Sequence, residues 1–118
     1  MTMLPPRQAK REKHDTRWRS QAHLRFVRSF KCAMPGCACM PIEAAHVRIL
    51  GGGGLGFKPA DHDAAPLCSF HHAQQHNTGE RSFWAAYEKA SGQTVEQLID
   101  ALCKASPRAR EIREVRGA

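Results

Sequence analysis

Pro66-Leu67-Cys68-Ser69-Phe70-His71-His72-Ala73-Gln74-Gln75-His76 sets one cysteine and three histidines within eleven residues. Four possible metal ligands in so short a span call for a reason beyond packing. Zinc takes four ligands in a tetrahedron, mostly Cys and His. Cys68-x-x-His71 has the spacing of one half of such a site. The other half stands upstream in Cys32-Ala33-Met34-Pro35-Gly36-Cys37, where Pro-Gly turns the chain and brings two sulfurs together. Cys39 competes with Cys37, but the turn leads directly into Cys37, which is preferred. Cys32, Cys37, Cys68 and His71 are thus expected to bind a structural zinc. The plainer reading is a set of buried free thiols.

Helix phase divides the same stretch into two jobs. Ser69 can cap a helix running to about His76. His72 and His76 then lie on one face, four residues apart, while His71 points about 100° away. His71 is expected to serve the zinc, and His72 with His76 a second cation. A metalloprotease of the zincin kind needs Glu after the first His of such a pair. Ala73 stands there, which disfavours that class.

Outward from this stretch, Ala64–Cys68 reads as a short strand or extended segment. Ile42–Ile49 reads as a first strand, carrying His46. The glycines of 51–56 connect the two. No strand–loop–helix context with Lys-Ser or Lys-Thr follows them, so a P-loop is disfavoured. Upstream, Trp18, Ala22 and Phe26 recur at helical spacing, with Val27 and Phe30 beside them. Arg17, Arg19, Arg25 and Arg28 surround that stripe, either as phosphate contacts or as a solvated outer face. Downstream, Phe83, Trp84 and Tyr87 mark a core-facing helix, begun by Asn77 or Thr78 and ended by Gly92. Thr94 and Gln97 form a capping box. Val95, Leu98, Ile99, Leu102 and Cys103 then give the clearest amphipathic helix, with Cys103 simply buried. Ser106-Pro107 stops it. The expected layout is a disordered basic arm over 1–15, one folded domain over 16–105 and a frayed basic tail over 106–118.

The chain has 118 residues, a net charge of +7 and a pI near 9.6. That balance suggests a polyanionic partner. The charge is unevenly placed: residues 1–31 carry nine Lys or Arg against two acids, whereas residues 32–79 carry Arg48 and Lys58 against Glu43, Asp61 and Asp63. Basic ends would hold phosphates around a centre that binds a cation. Five cysteines in a reducing compartment favour metal or free thiols over disulfides. No apolar run is long enough for a membrane span and the first residues do not read as a signal peptide, so a cytoplasmic location is expected.

As a set, Cys32-x4-Cys37, Glu43-Ala44-Ala45-His46-Val47-Arg48, the glycines, Lys58-Pro59-x-Asp61 and Pro66-Leu67-Cys68-x-x-His71-His72-x-x-x-His76 resemble the HNH endonuclease superfamily. The resemblance is closest to its phage and prophage branch, which includes the RecA-dependent nuclease. It covers roughly residues 24–87. It implies a small α+β chain with a ββα-metal core, a hairpin crossed by a helix, a zinc knuckle and flanking helices. It implies a metal-dependent endonuclease that hydrolyses DNA phosphodiester bonds in a bacterial host cell. His46 would be the general base, and His76 and His72 would face one divalent cation (magnesium or manganese, or zinc). Arg25, Arg28, Arg48 and Lys58 would contact single- or double-stranded DNA, and a recombinase filament is a further partner. Two departures stand out. Many members carry Asp or His directly before the base, where this chain has Ala45, and many carry a central Asn that is absent here. Asp61 is expected to supply the missing oxygen or to brace the loop. Asp63 and Glu43, the latter read as sharing the face of His46, are the other candidate carboxylates. The rival expectation is a zinc-knuckle protein that binds nucleic acid without cutting it.

Overall fold

The computed structural model describes residues 3–6, 17–50 and 59–117. Most of the expected basic arm, the glycine-rich connector and Lys58 lie outside the described residues. The elements run α1 Gln21–Arg28, β1 Ile42–His46, a 3-10 turn Arg48–Leu50, β2 Ala64–Cys68, α2 Ser69–Thr78, α3 Glu80–Ser91, α4 Val95–Ala105 and α5 Ala109–Val115. This is a small α+β structure with a two-stranded antiparallel sheet and, among the described residues, five helices. No described helix is long and apolar enough to cross a membrane.

The expected strand pair forms, with β1 ending sooner than the sequence pattern suggests. Ile42 stands opposite Cys68, Glu43 opposite Leu67, Ala44 opposite Pro66, Ala45 opposite Ala65 and His46 opposite Ala64. Opposed residues share a face and successive residues alternate. Every residue of β2 is buried, because α1, α2 and α4 all pack against it. Pro66 is tolerated there because Val47 N–H donates to Asp63 O at 2.7 Å. This makes the odd positions of β1 the hydrogen-bonded ones and turns the nitrogen of Pro66 to the outer edge, where its lack of a proton costs no ladder bond. The Pro66 carbonyl instead accepts from Ala33 N–H at 2.8 Å, which ties the first cysteine turn to β2.

The helices correct the sequence reading in four places. In α1 the buried residues are His23 and Val27, not Trp18, Ala22 and Phe26. Ser20 caps the helix by accepting from His23 N–H at 3.1 Å, so Trp18 falls before it. A polar side chain then belongs to the buried stripe: His23 Nδ1 lies 2.8 Å from Ser106 Oγ. In α2 the cap is Cys68 rather than Ser69, its sulfur facing the His71 amide. In α3 it is Gly79 at φ 90°, because Thr78 Oγ1 turns back to donate to Gln74 O at 2.7 Å. The tail is not frayed. Ile112 of α5 is 1 % exposed and joins the core of Leu67, Phe83, Trp84, Tyr87 and Ile99, so Ser106-Pro107 redirects the chain rather than ending its order. The Thr94–Gln97 capping box and the Gly92 stop are as expected.

Candidate functional site

The first site is built where the Pro-Gly turn meets the junction of β2 and α2. Gly36 takes φ 78° there, a conformation that favours glycine, and the chain doubles back so that Cys37 faces Cys68. The ligand atoms of Cys32, Cys37, Cys68 and His71 all lie within 4.8 Å of one another. Cys37 Sγ and Cys68 Sγ are 3.8 Å apart. His71 Nδ1 lies 3.3 Å from Cys32 Sγ and 3.2 Å from Cys68 Sγ. Tetrahedral zinc with Zn–S near 2.3 Å and Zn–N near 2.0–2.1 Å places two sulfurs about 3.8 Å apart, and a sulfur and a nitrogen about 3.5 Å. The cluster can therefore hold a metal ion. Cys37, not Cys39, completes it, as the turn suggested. Burial pushes the Cys32 thiol up to about 11, whereas the Cys39 backbone amide holds the Cys37 thiol below its usual range. A bound cation would remove the cost of gathering such groups, since it binds the thiolates.

The second group centres on His46, at the end of β1 and half-exposed. His46 Nε2 lies 2.9 Å from Asp61 Oδ1. Asp61 is 4 % exposed and saturated with partners. Arg19 Nη1 donates to its Oδ1 at 3.1 Å, and Ser20 N–H to its Oδ2 at 2.9 Å. Arg19 also donates to Pro59 O at 2.6 Å, and Asp61 N–H to Trp18 O at 3.0 Å. Burial alone would raise the Asp61 carboxyl, but the bonds from His46, Ser20 and Arg19 outweigh it and hold the group below the usual carboxylate range. Asp61 is thus an ionised brace for one imidazole, with both oxygens engaged.

His72 and His76 share a face of α2, their rings 5.0 Å apart. His72 Nδ1 lies 2.9 Å from Glu43 Oε1, and His76 is exposed. Glu43 does not share the face of His46: three positions separate them, so strand alternation sets them on opposite faces. Its partner is a histidine of the helix instead. Asp63 pairs with its neighbour His62 at 3.0 Å. Among the described residues, the Cys32–Cys37–Cys68–His71 group is the one set of three or more such side chains with its ligand atoms gathered together. His46 and His72 stand in two separate histidine–carboxylate pairs, and His76 lies beside the His72 ring. Arg25, Arg28 and Arg48 are exposed. Sequence reasoning missed Gln75, whose Nε2 donates to His46 O at 3.2 Å and to Glu80 Oε1 at 3.3 Å. One Gln of an adjacent pair in a polar helix gives no signal of that reach.

Residues 4–107 match the family model described as "Protein of unknown function (DUF968)". The match spans most of the chain, so the chain belongs to that family. No curated protein and no solved structure matches it.

Proposed function

We propose that this DUF968 protein is a metal-dependent endonuclease of the HNH type that hydrolyses DNA phosphodiester bonds, with His46 as general base. The observation that carries the reading is the His46–Asp61 pair at 2.9 Å. An ionised, fully bonded Asp61 accepts a proton-bearing Nε2 from His46. The Nδ1 lone pair is then left to take a proton from water, and Asp61 stabilises the imidazolium that forms. This is the base-and-orienter arrangement of hydrolytic sites in general. The hairpin β1–β2 with α2 packed against both strands suits a ββα-metal core.

Two metals have separate places in this reading. Cys32, Cys37, Cys68 and His71 would hold a structural zinc that joins the Pro-Gly turn to the β2–α2 junction. His72 and His76 would hold a magnesium, manganese or zinc ion. Their rings lie 5.0 Å apart on one helix face, and Glu43 beside His72 would supply the carboxylate that Ala45 does not. Such a cation would offset charge on the phosphate and its leaving oxygen. Arg25, Arg28 and Arg48 would meet backbone phosphates, which makes binding largely sequence-independent and salt-sensitive. The phage setting, the bacterial cytoplasm and a recombinase filament as partner follow from the sequence resemblance.

The rival, a zinc-knuckle protein that binds nucleic acid without cutting it, draws support from the divided histidine pairs. Cleavage assays separate the two. Zinc-replete protein with magnesium or manganese should cut at least one of single-stranded, duplex and branched DNA. Tight binding to these substrates without metal-dependent cleavage of any would favour the rival.

A further inference from the structure

We infer that Gln75 is a positioning residue for His46, clamping the outer edge of β1 to the start of α3 and so fixing where the imidazole stands. The inference deepens the reading of His46 as general base and rests on it for its consequence in catalysis.

The strand geometry creates the need. Val47 N–H is bonded to Asp63 O, so His46, one position away and opposite Ala64, directs its carbonyl away from β2. In a two-stranded sheet that edge has no third strand to receive it. Gln75 Nε2 donates to the His46 carbonyl at 3.2 Å and to Glu80 Oε1 at 3.3 Å. The same Glu80 oxygen accepts from Arg48 N–H at 2.7 Å. The backbone on both sides of Val47 is thereby tied to one pair of side chains.

The choice of residue is informative. Gln75 is the one buried residue of α2, at 0 % exposure. An apolar side chain would fill a buried helix position without polar atoms to satisfy. Both groups before the Gln75 NH2 are acceptors, which fixes the amide orientation, and its Oε1 is buried without a partner. Stability alone therefore does not account for an amide here. Gln75 also directly precedes His76. One residue thus links the strand carrying the base to the helix face carrying His72 and His76, and sets the distance between them.

The test compares Gln75→Met with wild type by two readouts. Nitrogen-15 NMR of the His46 ring should show a single Nε2–H tautomer in wild type and an averaged pair of nitrogens in Gln75→Met. Steady-state cleavage should show kcat lowered about tenfold to a hundredfold with KM nearly unchanged, the scale of a small displacement of a reacting group. Zinc content should match wild type. If Gln75→Met does not fold, Glu80→Ala, which removes the outer half of the clamp from a less buried place, should give the same changes at smaller size. Unmoved His46 signals in the folded variant would overturn the inference, and so would an unchanged kcat where His46→Ala itself loses cleavage. The parent reading fails separately: if the ring signals average as expected while His46→Ala cleaves like wild type, Gln75 positions His46 but His46 is not the base.

Discussion

The cysteine cluster and the histidine pairs are built around the same hairpin on opposite principles. In the first, four ligand atoms from two distant segments lie within 4.8 Å, with Cys32 and Cys68 buried. In the second, two histidines are held by separate carboxylates: His46 by Asp61 and His72 by Glu43. Structural metal sites are closed by protein ligands, whereas reacting sites keep positions open. The cysteine cluster fits the first character, and in the proposed reading the more exposed histidines would have the second. One helix serves both, because a phase step of about 100° separates His71 from His72.

The strongest way to break this contrast is to remove the knuckle. Cys68→Ser or chelation of zinc should unfold the domain, since metal binding and folding are one equilibrium in small zinc-held units. Circular dichroism and zinc content would show this together, and Cys39→Ser should change neither. Equal helicity with and without metal would reduce the cluster to buried thiols. Next in size, Asp61→Asn should lower cleavage about 10²- to 10⁴-fold, the range supplied by a positioned acid or base, while the zinc content stays unchanged. Single-turnover kinetics would measure it. Ile112→Ala should then cost about 2–4 kcal/mol of stability in chemical denaturation through the cavity it leaves, with the metal cluster intact. A loss near zero would return α5 to a loose tail.

A smaller effect concerns His23. Burial, then the charge of His62, lower its pKa against a weaker opposing pull from Asp61. The unfolded chain thus binds the proton more readily than the folded one. Stability from this group is present above the unfolded value of about 6.5 and is lost as pH falls through it toward the folded value. The denaturation midpoint should drop between pH 7.5 and 5.5, and His23→Gln should flatten the drop. Smallest, Arg25→Ala with Arg28→Ala should reduce the salt slope of DNA binding by about one to two units of log K per log salt.

What the sequence made legible was local. Cys68-x-x-His71, the Pro-Gly turn and the Thr94 capping box each fix their geometry within a few residues, and each appears as expected. What it hid depends on distance or on competition between near-equal choices. Asp61 meets His46 across a connector that gives no register. Cys68 wins the cap of α2 over Ser69 because its sulfur already faces the His71 amide. His23 escapes the pattern because an apolar periodicity cannot anticipate an imidazole whose Nδ1 meets Ser106, 83 residues away. In the same way, α5 hides behind its charges, since one isoleucine anchors it. Glu43 was assigned to the wrong face by its spacing from His46, and the structure gives it to His72.

The central claim is that His46 removes a proton from the attacking water. Nicking of supercoiled plasmid in manganese, by wild type and by His46→Ala at equal zinc content, tests it most directly. The account predicts rapid nicking by wild type and a loss of about 10²- to 10⁴-fold in the variant; equal rates from the two proteins would contradict it.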